Sequence, residues 1–335
     1  MDDRHGDQVV LTETEALELI TAVAIRLGMS DDDAEIVARH LVDDELRAAV
    51  GMARIVIVAD EVAKTGPAPV EPITVERDRP TSAVVHGGGH HGLVVAEFAT
   101  RLAMSKAQAS GLSVVCADQH RYSGTLGYYA ELVARAGLVS IVAASGSFGS
   151  VAPFGARAGR LDTNPIALGF PTRGEPIVWD IATSAISGSE IHRRLLTGEE
   201  LPDGVAVDVE GAPTRDPAMA LAGAILPWGG HRGSGLAVAI RLLGLLSGAV
   251  PFPERGDSFA FFIAVIDPAL FLPAAEFEAA AAQLAEGLRA TPPAAGVAGV
   301  RVPFDRSLEE RERRRQAGIP IDHALFDRLE AIRRG

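Results

Sequence analysis

The sequence predicts an α/β protein with a helical unit drawn from both ends of the chain, and three observations carry that reading. Apolar residues recur alternately at helix and strand spacing from residue 82 to residue 144, two capped amphipathic helices precede that stretch, and two charged helices close the chain. The length of 335 residues gives room for about two domains at roughly 100–200 residues each. They are read here as a helical unit over 1–75 joined by 290–335, and an α/β core over 76–289. In order, a helix over 12–27 opens behind Thr12, with Glu15 three positions on in a capping-box pattern. A second helix over 30–50 opens behind Ser30, with Asp31, Asp32 and Asp33 at the positive end of its dipole. The proline-rich stretch 66–80 reads as a surface connection. There follow a strand over Ser82–His86, a helix over Gly92–Ser110, a strand over 113–117, a helix over 126–136 and a strand over 139–144. A glycine-containing loop over 146–164 leads to strands over Ile166–Phe170 and Ile177–Ile181. Residues 204–217 are rich in turn formers, and they precede a helix over 235–247 and a buried strand over 259–266. An Ala-rich amphipathic helix spans Ala274–Arg289, and tail helices span 307–316 and 322–333.

Composition narrows the function classes. With 47% hydrophobic and 22% charged residues the chain can bury a core without covalent staples, which excludes disordered and collagen-like readings. A net charge of −13 without a basic stripe argues against a nucleic-acid surface, which works by neutralising phosphates. The one cysteine, Cys116, excludes an internal disulfide or a thiolate cage, and a reducing, cytoplasmic setting is expected. The first ten residues carry no targeting pattern. The most apolar run, 236–250, is shorter than the roughly 20 residues of a membrane span and reads as a core helix, so no membrane partner is expected.

Several segments carry chemistry. The run His86-Gly87-Gly88-Gly89-His90-His91-Gly92 joins a strand to a helix, and its amides could hold an anion or simply form a tight turn. It lacks the third glycine and the downstream acid of a Rossmann fingerprint. His90 and His91 are adjacent on a helix start, so their side chains diverge, and no metal site is expected. Asp180-Ile181-Ala182-Thr183-Ser184 ends a strand with an acid and two hydroxyls, where open α/β sheets build sites and where a helix cap is the plainer alternative. Gly229-Gly230-His231-Arg232-Gly233 allows close backbone approach and offers a guanidinium to a phosphate or carboxylate, with helix-on-sheet packing as its alternative.

Read together, these segments resemble one family. Gly124-Thr-Leu-Gly127-Tyr128-Tyr129-Ala-Glu131, Asp162-Thr163-Asn164-Pro165-Ile166-Ala167, Asp180-Ile-Ala-Thr183-Ser184, Asp208-Val-Glu-Gly211-Ala-Pro213-Thr214 and Leu226-Pro227-Trp-Gly229-Gly230-His231-Arg232-Gly233 occur in the order seen in type-2 malate/L-lactate dehydrogenases. That family includes ureidoglycolate and sulfolactate dehydrogenases and cyclic-imine reductases, and the resemblance runs from about residue 12 to 322. It implies a non-Rossmann, mixed-sheet nicotinamide-binding fold, NAD or NADP as cofactor, a homodimer, a small carboxylate substrate and hydride transfer beside that carboxylate. The cofactor region falls at about 115–250. Carried over residue by residue, it makes Ser145, Asp180, Ile181, Ala182, Thr183, Ser184, His231, Arg232 and Asp305 cofactor residues. Arg54, Arg47, Thr163 and Asn164 become substrate residues.

Three departures stand out. The family motif Arg-Gly-x-x-Ser-His-Gly is here Arg47-Ala48-Ala49-Val50-Gly51, two residues shorter and without the Ser-His pair. The second motif, Ser-x-His-x-Gly, aligns to His120-Arg121-Tyr122-Ser123-Gly124 and puts Tyr122 in the histidine column. His120 and Tyr122 are therefore the candidate catalytic groups. The Pro-Gly-Glu element reads Pro303-Phe304-Asp305. Reducing a ketone needs a proton donor as the alkoxide forms, whereas an iminium arrives already protonated, so reduction of C=O or of C=N is expected with altered donors. Non-redox chemistry on the same fold and a catalytically silent binding protein remain the alternatives.

Overall fold

The computed structural model describes residues 8–67, 69–146, 149–252 and 259–335. The readings of the first seven residues as free of a leader and of 147–148 as loop lie outside them. The chain forms two compact units, one from residues up to Val70 together with Gln283–Gly335, the other from Glu71–Ala282. Its elements begin with β1 (Gln8–Leu11), α1 (Glu13–Arg26), α2 (Asp31–Leu46), α3 (Ala53–Thr65), β2 (Thr74–Arg79), β3 (Ser82–His86), α4 (Gly92–Ser110), β4 (Leu112–Asp118) and α5 (Leu126–Arg135). They continue with β5 (Val139–Ser145), β6 (Ile166–Phe170), β7 (Ile177–Ile181), α6 (Gly188–Thr197), β8 (Ala206–Val207), α7 (Pro217–Ala222), β9 (Ala224–Ile225) and α8 (His231–Gly244). The last are β10 (Ala260–Ile266), α9 (Ala274–Arg289), α10 (Asp305–Ala317), β11 (Ile319–Asp322) and α11 (His323–Arg334).

The first unit is helical. Thr12 Oγ1 accepts the Glu15 amide at 3.2 Å while Glu15 Oε2 accepts the Thr12 amide at 2.8 Å, so the expected capping box forms at α1. Ser30 caps α2 through the Asp33 amide. This helix ends earlier than its pattern suggests: Arg47 is its C-cap, and Ala48 turns the chain at φ 59°. The Glu45 carboxylate then takes the Gly51 and Met52 amides, closing the shortened turn before α3. The two chain ends meet where β1 pairs antiparallel with β11, Leu11 opposite Ile319.

The second unit is a seven-stranded mixed sheet in the order β2-β3-β4-β10-β5-β6-β7. Only β3 and β4 run parallel, joined by α4, and every other neighbouring pair is antiparallel. β10 comes from far along the chain and lies between β4 and β5, with Phe261, Ile263 and Val265 buried. The 66–80 connection contains the edge strand β2. All six of its residues are exposed, so no apolar alternation marked it. α8 starts at His231 rather than 235, because Gly229 and Gly230 form the turn at φ 58° and 61°. Among the described residues no helix is long and apolar enough to cross a membrane.

α5 lies tight on β6: a Cβ on Gly169 would stand 2.3 Å from the Ala130 carbonyl oxygen. Gly169→Ala should therefore cost about 1–3 kcal/mol by forcing helix and strand apart. Urea denaturation checks this, and an unchanged midpoint would show that the contact yields freely.

Candidate functional site

Within the second unit, backbone hydrogen bonds bring the motif segments together. Thr183 is fully buried; its amide and its Oγ1 both donate to the Thr163 carbonyl at 2.8 Å, and its own carbonyl accepts the Trp228 amide at 3.0 Å. The Ala185 amide donates to the Leu226 carbonyl at 2.8 Å. A Cβ on Gly233 would fall 2.4 Å from the Trp228 carbonyl oxygen and 2.9 Å from that of Thr183, so only glycine lets α8 enter here. Asp180 Oδ2 accepts the Gly127 amide at 2.7 Å, tying the end of β7 to the start of α5 and favouring a negative charge at that helix end. The Leu226 amide donates to the Val205 carbonyl, linking the turn that carries Asp208 and Thr214.

Around this junction lie groups suited to a polar ligand. The 14-residue helix α8 begins at Gly230 with no side-chain cap, and His231 and Arg232 in its first turn are exposed. Ser184 Oγ and Trp228 Nε1 are buried and, among the described residues, have no hydrogen-bond partner. A positive helix end, an exposed guanidinium and two orphaned polar atoms fit an anionic dinucleotide. Ser145 is buried beneath α8, where Arg241 Nη1 reaches its hydroxyl at 3.3 Å and the Gly146 carbonyl at 2.8 Å. Asn164, at φ 32°, donates to the Ala237 carbonyl at 2.9 Å, a packing role.

The loop after β4 holds His120 and Tyr122. His120 is 4% exposed. Its Nδ1 lies 2.6 Å from the Arg121 carbonyl oxygen, and since a carbonyl only accepts, Nδ1 carries the proton. Its Nε2 is buried without a partner among the described residues. Burial lowers the His120 pKa to about 4, opposed by the Arg121 and Ala117 carbonyls, so the ring is neutral near pH 7. His91, the N-cap of α4, is likewise lowered to about 4 by burial and by the nearby His120 and Arg121 charges. Arg121 is exposed and Tyr122 half-buried, so this loop offers outward a guanidinium and a phenol rather than an imidazole. At the ends of the parallel strands His86 Nδ1 meets Asp118 Oδ1 at 2.5 Å and Nε2 meets Glu76 at 3.3 Å; the Asp118 bond holds the His86 pKa up. The glycine turn is used internally, with the Gly87 amide bound to the Asp118 carbonyl and the Gly89 amide to that of Gln119. Burial pushes the Cys116 thiol up to about 11, which leaves it unreactive. No group of three or more potential metal ligands occurs among the described residues.

Arg47, Arg54 and Asp305 belong to the first unit. Arg54 is half-buried in the first turn of α3. Arg47 is 7% exposed and pairs with Asp43, which Arg311 also reaches at 3.1 Å. The Phe304 ring lies under both guanidiniums, 4.9 Å from Arg47 and 5.8 Å from Arg311. Phe304 sits at φ 85°, a left-handed conformation that a bulky residue adopts only at a cost of about 1–3 kcal/mol. The arginine that opens the shortened motif is thus in contact with the phenylalanine of the altered Pro303-Phe304-Asp305 element, which the sequence did not signal because they lie more than 250 residues apart. Asp305 bonds Arg289 through both oxygens, at 2.6 and 2.9 Å, and accepts the Val302 amide.

Comparison with known proteins gives this arrangement a family. A family profile described as malate/L-lactate dehydrogenase matches residues 11–330. The chain belongs to the malate/L-lactate dehydrogenase family. Its relatives include L-sulfolactate dehydrogenase of Methanocaldococcus jannaschii, 32% identical over 97% of this chain and 96% of that one. Delta(1)-pyrroline-2-carboxylate reductase of Ancylobacter novellus is 35% identical over 76% of this chain and 77% of its own. Among solved structures, a dehydrogenase from Sinorhizobium meliloti superposes with a TM-score of 0.89 at 31% identity, covering 97% of this chain and 98% of that one. Delta1-piperideine-2-carboxylate reductase from Pseudomonas syringae pvar. tomato gives 0.86 at 28%, covering 97% and 99%. Membership makes this family member an oxidoreductase with the mixed-sheet fold anticipated from the motifs.

Two predictions follow from the geometry. His91 and His120 stay neutral when folded but bind protons near pH 6.5 when unfolded, so stability is complete above pH 6.5 and falls as pH drops toward about 4. The slope reaches at most about 1.4 kcal/mol per pH unit for one histidine. Chemical denaturation across that range should show it, and His120→Asn should make the decline shallower; an unaltered slope would contradict a neutral buried His120. In a double-mutant cycle of Phe304→Ala and Arg47→Ala, the coupling should be about 0.5–2 kcal/mol. Strict additivity would show that the ring contributes only bulk.

Proposed function

We propose that this family member is a nicotinamide-dependent reductase of a C=N bond next to a carboxylate, acting on a cyclic imino acid. The observation that carries this reading is the state of His120: neutral, shielded and already donating to the Arg121 carbonyl, it has no proton to give to a developing alkoxide. A protonated cyclic imine makes no such demand. The pyrroline- and piperideine-carboxylate reductases among the relatives support the same substrate class.

Asp180–Ser184, with the Ser184 hydroxyl and Trp228 Nε1, would hold the polar parts of the dinucleotide, and the start of α8 with His231 and Arg232 would receive its phosphates. The nicotinamide, when bound, supplies the hydride. Tyr122, half-buried beside exposed Arg121, hydrogen-bonds the substrate nitrogen through its phenol. The resemblance extends the reading to a homodimer, and light scattering in solution checks it.

The deciding experiment measures kcat/KM for Δ1-pyrroline-2-carboxylate, Δ1-piperideine-2-carboxylate, pyruvate and oxaloacetate with NADH and with NADPH. The imines should lead by at least about 100-fold, the scale of one missing acid catalyst. A 2-oxo acid turned over faster than either imine would overturn the reading. Tyr122→Phe should lower kcat by about 10–100-fold on the imine. Arg232→Ala should raise the nicotinamide Kd by about tenfold, as loss of one charge-assisted contact predicts.

A further inference from the structure

We propose that His120 is a positioning residue: by tying down the Arg121 carbonyl it sets the orientation in which the next residue, Tyr122, presents its phenol. This deepens the reading of Tyr122 given above and rests on it for the catalytic consequence.

The backbone around Tyr122 is fastened on every side while its side chain is left half-buried. On the near side, the His120 Nδ1–H donates to the Arg121 carbonyl at 2.6 Å. On the far side, the Tyr129 hydroxyl donates to the Ser123 carbonyl at 2.8 Å; Tyr129 is itself fully buried and packs edge-on against Phe261 of β10 with centroids 5.3 Å apart. From below, the start of α4 presses on the loop, since a Cβ on Gly92 would lie 2.3 Å from the Arg121 carbonyl oxygen and 2.2 Å from that of Tyr122. Gln119, just before His120, holds a left-handed backbone at φ 53°, and its carbonyl accepts the Gly89 amide at 3.1 Å. The carbonyls of Gln119, Arg121, Tyr122 and Ser123 are thus each bonded or closely packed against groups outside or at the edge of the loop. Such fixing is what a side chain needs if it is to meet a substrate atom within a few tenths of an ångström.

The imidazole itself is buried. Its Nε2 is shielded from solvent and has no partner among the described residues, a cost the fold tolerates only if the other nitrogen is needed. The needed function is a short N–H donor at the Nδ1 position. An asparagine amide nitrogen reproduces that donor; a leucine fills the space and does not.

With Tyr122, Tyr128 and Tyr129 as the chain's three tyrosines, ultraviolet difference titration of the wild type against Tyr122→Phe isolates the Tyr122 phenol. His120→Leu should move that midpoint by about half a pH unit or more, and His120→Asn should leave it in place. In steady-state assays with Δ1-pyrroline-2-carboxylate, His120→Leu should lower kcat by about tenfold with KM within about threefold, and His120→Asn should recover most of the loss. Equal losses in both variants would show that the imidazole acts directly, and an unmoved midpoint in His120→Leu would show a purely structural ring. Either result overturns the proposal. If Tyr122→Phe is fully active while the midpoint still moves, the catalytic reading of Tyr122 fails and the positioning stands. If His120→Leu does not fold, His120→Met, which also fills the space without a donor, must shift the same midpoint, and an unmoved midpoint overturns the proposal.

Discussion

Thr183 is the joint on which the second unit's chemistry hangs. One buried residue donates twice to the Thr163 carbonyl and receives the Trp228 amide, so three segments separated by up to 65 residues share one set of backbone bonds. Each bond is worth only about 0.5–1.5 kcal/mol net, but a buried amide or carbonyl left unpaired costs more, so the three segments keep their register together. Everything placed relative to that joint inherits its precision: the Asp180 carboxylate on the first turn of α5, the start of α8, and the orphaned Ser184 and Trp228 atoms between them.

The loop carrying Tyr122 is held differently. It relies on side-chain donors to carbonyls, from His120 and Tyr129, and on the absence of a side chain at Gly92. Neutral histidines suit that work, because a charged imidazole would need a counter-ion where none is spare. The contrast lies at His86, which stands between Asp118 and Glu76 with more solvent access and keeps its proton to higher pH. Two histidines at the ends of adjacent strands therefore shift in opposite directions, one raised by its bond to a carboxylate and the other lowered by burial that its carbonyl contacts do not offset.

Much of the fold was legible because its local signals agree with its tertiary demands. Thr12 with Glu15, and Ser30 with its acidic first turn, mark helix starts that form as expected. The motif segments likewise carried the family. What the sequence withheld is non-local. The edge strand β2 has no buried face, so it has no period to detect, and β1 finds its partner in β11 at the other end of the chain. Nothing in the sequence connects Arg47, which opens the shortened turn, with the phenylalanine at 304, yet the Arg47 and Arg311 guanidiniums both lie over that ring. His120 was legible as a candidate by residue type; its burial and its bond to the adjacent carbonyl depend on Gly92 and α4, which no spacing rule connects to it.

The position of β10 has a consequence for how the chain is made. As β10 pairs with both β4 and β5, the middle of the sheet stays open while everything from Leu112 to Ser145 has already left the ribosome. Until residue 266 emerges, two apolar strands wait with unpaired edges, and β1 waits longer still for β11. Vectorial synthesis therefore yields helices early and closes the sheet late, and a chain stopped short of β10 would be a sticky fragment rather than a smaller enzyme.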